Sequence, residues 1–233
     1  MFAVKNIFNN TLHLFYPHIC TGCGSDLINK NSLLCFNCIN DLPHTNFASY
    51  PGNPVEKVFP GRIPLKAAHS EFYFSKGQLV QHLIHLLKYK SNKEIGHYLG
   101  TMIGNSILRS GRFTNLDYLV PLPLYPDKEF KRGYNQAEVI CNGIAEITQI
   151  PVLIKNVIRQ RATETQTRKH RAERWQNVDG SFCILKPQVL TGKNILLVDD
   201  VITTGATLEA CGQAILKIPG TSISLAALAH ASK

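Results

Sequence analysis

The sequence predicts an α/β fold, a parallel β-sheet flanked by helices, with a small four-cysteine module in front of it. Three observations carry this expectation. Beyond residue 66, short apolar runs alternate with segments of helical period. Those runs are apolar throughout rather than at every second residue, as strands buried on both faces require. Four cysteines fall in two C-x-x-C pairs before residue 40. The chain of 233 residues is 44% hydrophobic and 18% charged. That is enough apolar material for one medium domain and an appendage, and it excludes a disordered chain.

The elements follow in chain order. Residues 1–18 read as a short amphipathic helix or arm. A lysine is present, but Asn9, Asn10 and His13 interrupt any apolar core there, so no signal peptide is expected and the cytoplasm is the default location. The cysteine module extends to about residue 43. Pro43, Pro51, Pro54, Pro60 and Pro64, with Gly52 and Gly61, then mark residues 43–66 as a linker or loop-rich passage. It divides the chain into an arm and module over 1–50 and an α/β domain over 51–233. Strands are predicted at 67–74, 118–121, 152–154, 194–198 and 222–228. Helices are predicted at 77–89, 93–108, 135–148 and 206–217. In the first of these, Val80, Leu83, Ile84 and Leu87 share one face. No apolar run is long enough to span a bilayer, so no membrane insertion is expected.

Cys20, Cys23, Cys35 and Cys38 form a C-x2-C-x11-C-x2-C pattern. Each pair can hold two thiolates on one ion, and the intervening segment can bring the second pair back to close a tetrahedron. Zn²⁺ suits four thiolates in a closed structural site. Two disulfides would need an oxidising compartment. Cys141 and Cys211 read as buried helix residues, and His82 and His85 as ordinary helix positions.

The most specific segment runs from Ile195 to Leu208, ILLVDDVITTGATL. An apolar strand delivers Asp199 and Asp200 to its carboxyl end, and a turn of Thr, Gly and small residues then opens a helix. Backbone N–H groups at a helix start, with threonine hydroxyls beside them, cradle a phosphate. Gly205 allows close approach of the backbone. Carboxylates beside such a cradle make sense if they accept from a sugar diol or face Mg²⁺, and a phosphorylated ribose meets both conditions. No P-loop or dinucleotide fingerprint competes.

This segment resembles the PRPP-binding motif of the type I phosphoribosyltransferases. The resemblance implies that Asp199 and Asp200 face the ribose hydroxyls. It also implies that Val201, Thr203, Thr204, Gly205, Ala206 and Thr207 surround the 5′-phosphate. Val120–Pro126 followed by Lys131-Arg132-Gly133-Tyr134-Asn135-Gln136 resembles the P-x-P…RG[FY]NQ segment of the ComF family of competence-associated proteins. Arg159, Thr163, Gln166, Arg174, Asn177 and Phe182 match a second segment of that family, and Leu87-Lys88-Tyr89 a third. The double C-x-x-C is its zinc module. Lys169 and Lys128 depart from the family's usual leucine and arginine. The resemblance implies a type I phosphoribosyltransferase-like sheet, with Arg132, Gly133 and Lys88 joining the PRPP site. Asp199, Asp200 and Arg161 are then the catalytic candidates. Mg²⁺ is implied with PRPP. The family's role implies DNA uptake, with single-stranded DNA and an uptake helicase as partners.

Charge agrees with a polyanionic partner. The chain carries a formal +9. Lys155, Arg159, Arg161, Arg168, Lys169, Arg171 and Arg174 stand against only Glu164 and Glu173, so one short window holds over half of that excess. Of these, Arg159, Arg168, Lys169, Arg171 and Arg174 are the candidates for tracking a nucleic-acid backbone. Two other functions fit the same residues: a nucleobase-type phosphoribosyltransferase of salvage or biosynthesis, and a non-catalytic adaptor that docks through its zinc module.

Overall fold

The structure is a computed structural model that describes residues 18–160 and 181–231, apart from Leu27, Lys30, Asn31 and Lys76. The N-terminal arm and the basic positions Arg161, Arg168, Lys169, Arg171 and Arg174 lie outside the described residues.

Four parallel strands form the central sheet: β1 (Ala68–Tyr73), β2 (Tyr118–Pro121), β5 (Asn194–Ile202) and β6 (Ser222–His230). Their order across the sheet is β1-β6-β5-β2. Val198 of β5 pairs with Pro121 on one side and Ala226 on the other. β3 (Val157–Arg159) and β4 (Phe182–Ile184) make a separate antiparallel pair. The helices are α1 (Phe36–Asn40), α2 (Leu79–Tyr89), α3 (Lys93–Ser110), α4 (Pro126–Arg132), α5 (Gln136–Thr148) and α6 (Ala206–Leu216).

The sheet is buried on both faces, which is why its strands read as continuous apolar runs. Leu196 and Val198 of β5 join a core with Leu83 and Leu87 of α2, Leu99 and Ile103 of α3, and Ile140 and Ile144 of α5. Ile195 and Leu197, one residue out of phase, join a second core with Leu208, Cys211 and Ile215 of α6. Alternate residues of one strand thus feed opposite layers. Cys141 and Cys211 are both buried, as expected.

Two expectations need correction. Residues 152–154 form no strand, and Val152 makes a single bridge to Leu119. The passage over 43–66 is loop-rich, yet it is not a peripheral linker. Phe47, Val55, Phe59 and Ile63 fill the second core, held by short 3-10 turns at Phe47–Ser49 and Glu56–Val58. Asn53 stands in for secondary structure there. Its Nδ2 donates to the carbonyls of Phe47, Tyr50 and Ala68, and its Oδ1 accepts from Val55 N and Glu56 N. His44, at the start of this passage, and His69 both bond the buried Glu71 carboxylate at 2.9 Å, which ties the passage to β1. Burial opposes that charge, but the two imidazoles outweigh it and hold the Glu71 carboxyl down at about 2.

Candidate functional site

The carboxyl end of β5 carries the site. Side chains alternate along a strand, so Asp199 and Asp200 leave opposite faces of the sheet. Asp200 faces α2, where Lys88 Nζ lies 2.9 Å from its Oδ1. Lys88 sits in the last turn of α2, which places a cation at the helix C-terminus. Asp199 faces the other layer, where the Arg159 charge acts on it and its own charge acts on Cys211. Its Oδ1 accepts the backbone N–H of Asp200 at 2.7 Å. Burial and the neighbouring Asp200 charge push the Asp199 carboxyl up to about 7, against the pull of that N–H, Lys88 and Arg159. One carboxylate is therefore cation-paired and the other is poised to change charge near neutrality.

The loop after β5 turns on Gly205. It sits at φ 72°, the left-handed region, and forms the N-cap of α6 with no side chain capping it. An added Cβ would lie 2.7 Å from the Phe59 ring and 2.9 Å from Val58 Cγ1. The glycine is required by conformation and by space. Thr203, Thr204 and Ala206 are exposed on the loop, and Thr207 is half-buried. Arg62 braces the loop from below. Its Nη1 donates to the carbonyls of Thr204 at 2.9 Å and Val58 at 3.0 Å, and its Nη2 pairs with Glu209. Sequence reading missed Arg62 and Phe59, because both lie in the Pro- and Gly-rich passage with no periodicity. The Pro60-Gly61 turn before Arg62 was the signal available.

The Arg132–Gln136 segment joins α4 to α5. Gly133 ends α4 at φ 78°. Asn135 caps α5 by accepting from Ala137 N at 3.0 Å, while its Nδ2 donates to Leu122 O at 3.0 Å. Arg132 Nη1 donates to Gln136 Oε1 at 2.7 Å, and its guanidinium lies 5.7 Å from the Tyr89 ring centre. Tyr134 donates to the Leu87 carbonyl. These contacts bring Lys88, Arg132 and Gly133 to neighbouring positions around the end of α2. Val201 is half-buried on β5. Arg159 is not on an open surface. Its guanidinium lies 3.8 Å from the Tyr125 ring centre and 5.3 Å from that of Phe182.

The cysteine cluster is separate. The Sγ atoms of Cys20, Cys23, Cys35 and Cys38 all lie within 4.8 Å of one another, and all four are free thiols. The Cys23–Cys35 sulfur separation is 3.7 Å. Tetrahedral zinc with Zn–S near 2.3 Å spaces its sulfurs by about 3.8 Å, so the donor set fits that ion. Burial opposes a charge on Cys20, but the backbone N–H groups of Cys23, Cys35 and Gly22 outweigh it and hold its thiol down at about 6. Gly22 leaves room for the cluster, since a Cβ there would lie 2.8 Å from Cys38 Sγ.

Known proteins resemble this chain along the same lines. Residues 137–233 match the phosphoribosyl transferase domain family. DNA utilization protein YhgH of Escherichia coli strain K12 is 31% identical over 138 residues, 58% of this chain and 60% of that protein. Competence protein F of Haemophilus influenzae is 26% identical over 246 residues, 98% of this chain and 100% of its own length. Competence protein ComFC of Bacillus subtilis is 35% identical over 101 residues, 42% of this chain and 38% of that one. The chain thus spans 60% of the length of the first of these relatives. Its parallel sheet, its four-cysteine cluster and these likenesses agree, and the chain is similar to ComF-type, phosphoribosyltransferase-like proteins.

Proposed function

We propose that this protein binds PRPP with Mg²⁺ and acts in natural competence, on or alongside incoming single-stranded DNA. The observation that carries the reading is the end of β5: an acid on each face, a cation already on one, and a left-handed glycine opening α6. Thr203–Thr207 would hold the 5′-phosphate through hydroxyls and backbone N–H groups. Asp199 and Asp200 would accept from the ribose hydroxyls and face Mg²⁺, which supplies charge neutralisation for the pyrophosphate group. Lys88, Arg132 and Gly133 flank the pyrophosphate side. Transfer from such a site breaks the C1′–O bond to pyrophosphate and joins C1′ to an acceptor nucleophile, whose proton leaves to water or a base. Arg161 would act on the departing pyrophosphate.

Relatives named for competence and DNA utilization, together with the +9 charge, support the DNA role. The fit of the four thiols supports a structural zinc in the module over 1–50. An uptake helicase is the partner that the competence role implies.

Calorimetry with Mg²⁺ and PRPP tests the ligand. The Asp199→Asn, Asp200→Asn double variant should lose roughly 2–5 kcal/mol of binding, the scale of charged hydrogen bonds. Unchanged affinity in the folded variant overturns the ribose assignment. Single-stranded DNA binding should weaken with salt, and its log–log slope should flatten by up to about two units when Arg168, Lys169 and Arg171 become alanine. Wild-type protein with no DNA binding at low salt removes the nucleic-acid part.

A further inference from the structure

Arg62 reaches the loop that opens α6 from a passage otherwise given to packing, 142 residues away in the chain. Its own place is fixed first. Its backbone N–H donates to Phe59 O at 2.9 Å, and its Nη1 donates to Val58 O at 3.0 Å. Its guanidinium lies 5.8 Å from the Phe59 ring centre. From that seat Nη1 also donates to Thr204 O at 2.9 Å, and Nη2 pairs with Glu209. Both side chains of the pair are half-buried, so water screens it less than a surface pair.

These contacts have two consequences for an anion on the loop. A peptide unit is planar and trans, so its C=O and N–H point in opposite directions. The Thr204 carbonyl is turned toward Arg62, so the Gly205 N–H points away from it. Val58 and Phe59, beside Arg62, form the floor under Gly205, and the N–H is directed off that floor. An N–H held in this way at a helix start is a donor for a phosphate. Reversing the peptide would present a carbonyl to the phosphate and break the bond to Arg62. The second consequence is electrostatic. Glu209 stands in the first turn of α6. A carboxylate there favours the helix, but it opposes any anion bound at the same N-terminus. Arg62 cancels that charge where it would do most harm.

We propose that Arg62 is a positioning residue for the phosphate loop. It holds the Thr204–Gly205 peptide with its N–H outward and cancels Glu209. It thereby sets the preference for 5′-phosphorylated over unphosphorylated ribose. The proposal rests on the PRPP reading, in which Thr203–Thr207 hold the 5′-phosphate. Arg62 acts through the loop and the carboxylate, not by touching the sugar. Its contacts among the described residues do not include Lys88 or Arg132, which flank the pyrophosphate side. Its effect should therefore fall on one end of the ligand.

Calorimetry on the full chain compares ribose 5-phosphate, ribose and Mg²⁺-pyrophosphate. Wild type should bind ribose 5-phosphate about tenfold or more tighter than ribose. Arg62→Met keeps the side chain's length and removes its donors and charge. It should weaken ribose 5-phosphate about tenfold or more, and Mg²⁺-pyrophosphate by less than about threefold. Adding Glu209→Gln to Arg62→Met should recover about threefold or more, because the uncancelled carboxylate is gone. A merely structural role would neither spare pyrophosphate nor give that recovery. Thermal unfolding first compares each variant with wild type. If Arg62→Met does not fold, Arg62→Lys keeps the charge but has one nitrogen for three acceptors, and should weaken ribose 5-phosphate alone by about fivefold. Ribose 5-phosphate affinity within about threefold of wild type in a folded Arg62 variant overturns the proposal. So does an equal loss on Mg²⁺-pyrophosphate, or a double variant no tighter than Arg62→Met. Wild type that binds PRPP without preferring ribose 5-phosphate to ribose overturns the role of Arg62 alone. Wild type that binds neither ribose 5-phosphate nor Mg²⁺-PRPP overturns the PRPP reading, and the role of Arg62 with it.

Discussion

Asp199 and Asp200 are adjacent in sequence and opposite in environment. Asp200 has a cation, Lys88 Nζ, 2.9 Å away. Asp199 is half-buried beside the Asp200 charge, and its carboxyl is pushed up from 3.8 to about 7. Two consequences follow for pH. If ligand binding needs the Asp199 carboxylate, Mg²⁺–PRPP affinity should rise with pH through about 7 and then level off. Calorimetry between pH 6 and 8 should show that rise in wild type and none in Asp199→Asn. Folding responds in the opposite sense. Between about 3.8 and 7 the native state holds a proton that the unfolded state has lost, so this group lowers stability as pH rises across that window. The penalty is complete above about 7, and Asp199→Asn should escape it in chemical denaturation. A variant that is less stable than wild type at pH 8 would show that the carboxylate is supported by contacts stronger than its burial.

At the scale of elements, the glycines with least room for a side chain among the described residues lie at the crossing of α3 and α5. A Cβ on Gly100 would lie 2.3 Å from the Ile140 carbonyl oxygen, and one on Gly143 would lie 2.1 Å from that of His97. Both obstacles are backbone atoms, which cannot swing aside. Alanine at either position gains about 1 kcal/mol in helix propensity but overpacks a rigid contact, which costs more. Gly143→Ala should lower unfolding free energy by about 3 kcal/mol in urea titration, and parity with wild type would contradict the crossing. The long elements were legible because their signals are local. The α2 face, the cap at Asn135 and the apolar runs of β5 and β6 each sit within one stretch of sequence. The β3–β4 pair was not legible, since two three-residue strands separated by 22 residues carry no period. Helix α4 was hidden by its prolines, although Pro126 occupies the first helical turn, where its missing N–H costs nothing. The carboxylates and glycine of the site were readable from their spacing. Arg62 and the Phe59 floor were not, because their roles depend on a tertiary contact 142 residues away in the chain.

At the scale of the whole molecule, the cysteine module packs into one of the two cores that flank the sheet. Cys20, Leu34, Cys35, Cys38 and Leu42 belong to the same buried cluster as Phe72 of β1 and Leu83 and Leu87 of α2. Gly22 approaches Leu79 at the start of α2, where a Cβ would lie 2.9 Å from its Cδ1, and the Thr21 carbonyl lies 3.3 Å from His82 Nε2. A metal that organises the four thiols therefore supports one side of the main core, so losing it should be felt by the sheet as well as the module. Structural zinc contributes on the order of 10 kcal/mol in small modules, and part of that is returned to solvent and to the relaxed thiols on removal. Even about 2 kcal/mol would move the midpoint of a chain this size by about 4–8 °C. Metal analysis should find about one zinc per chain. Stripping it with a strong chelator should lower the midpoint by that amount or more in a single transition, followed by far-ultraviolet circular dichroism. Two separated transitions, with the second at the untreated midpoint, would show that the module folds on its own and only leans on α2. An unchanged midpoint after zinc is demonstrably gone would mean that the buried thiols, with Leu34 and Leu42, hold that side of the core by packing alone.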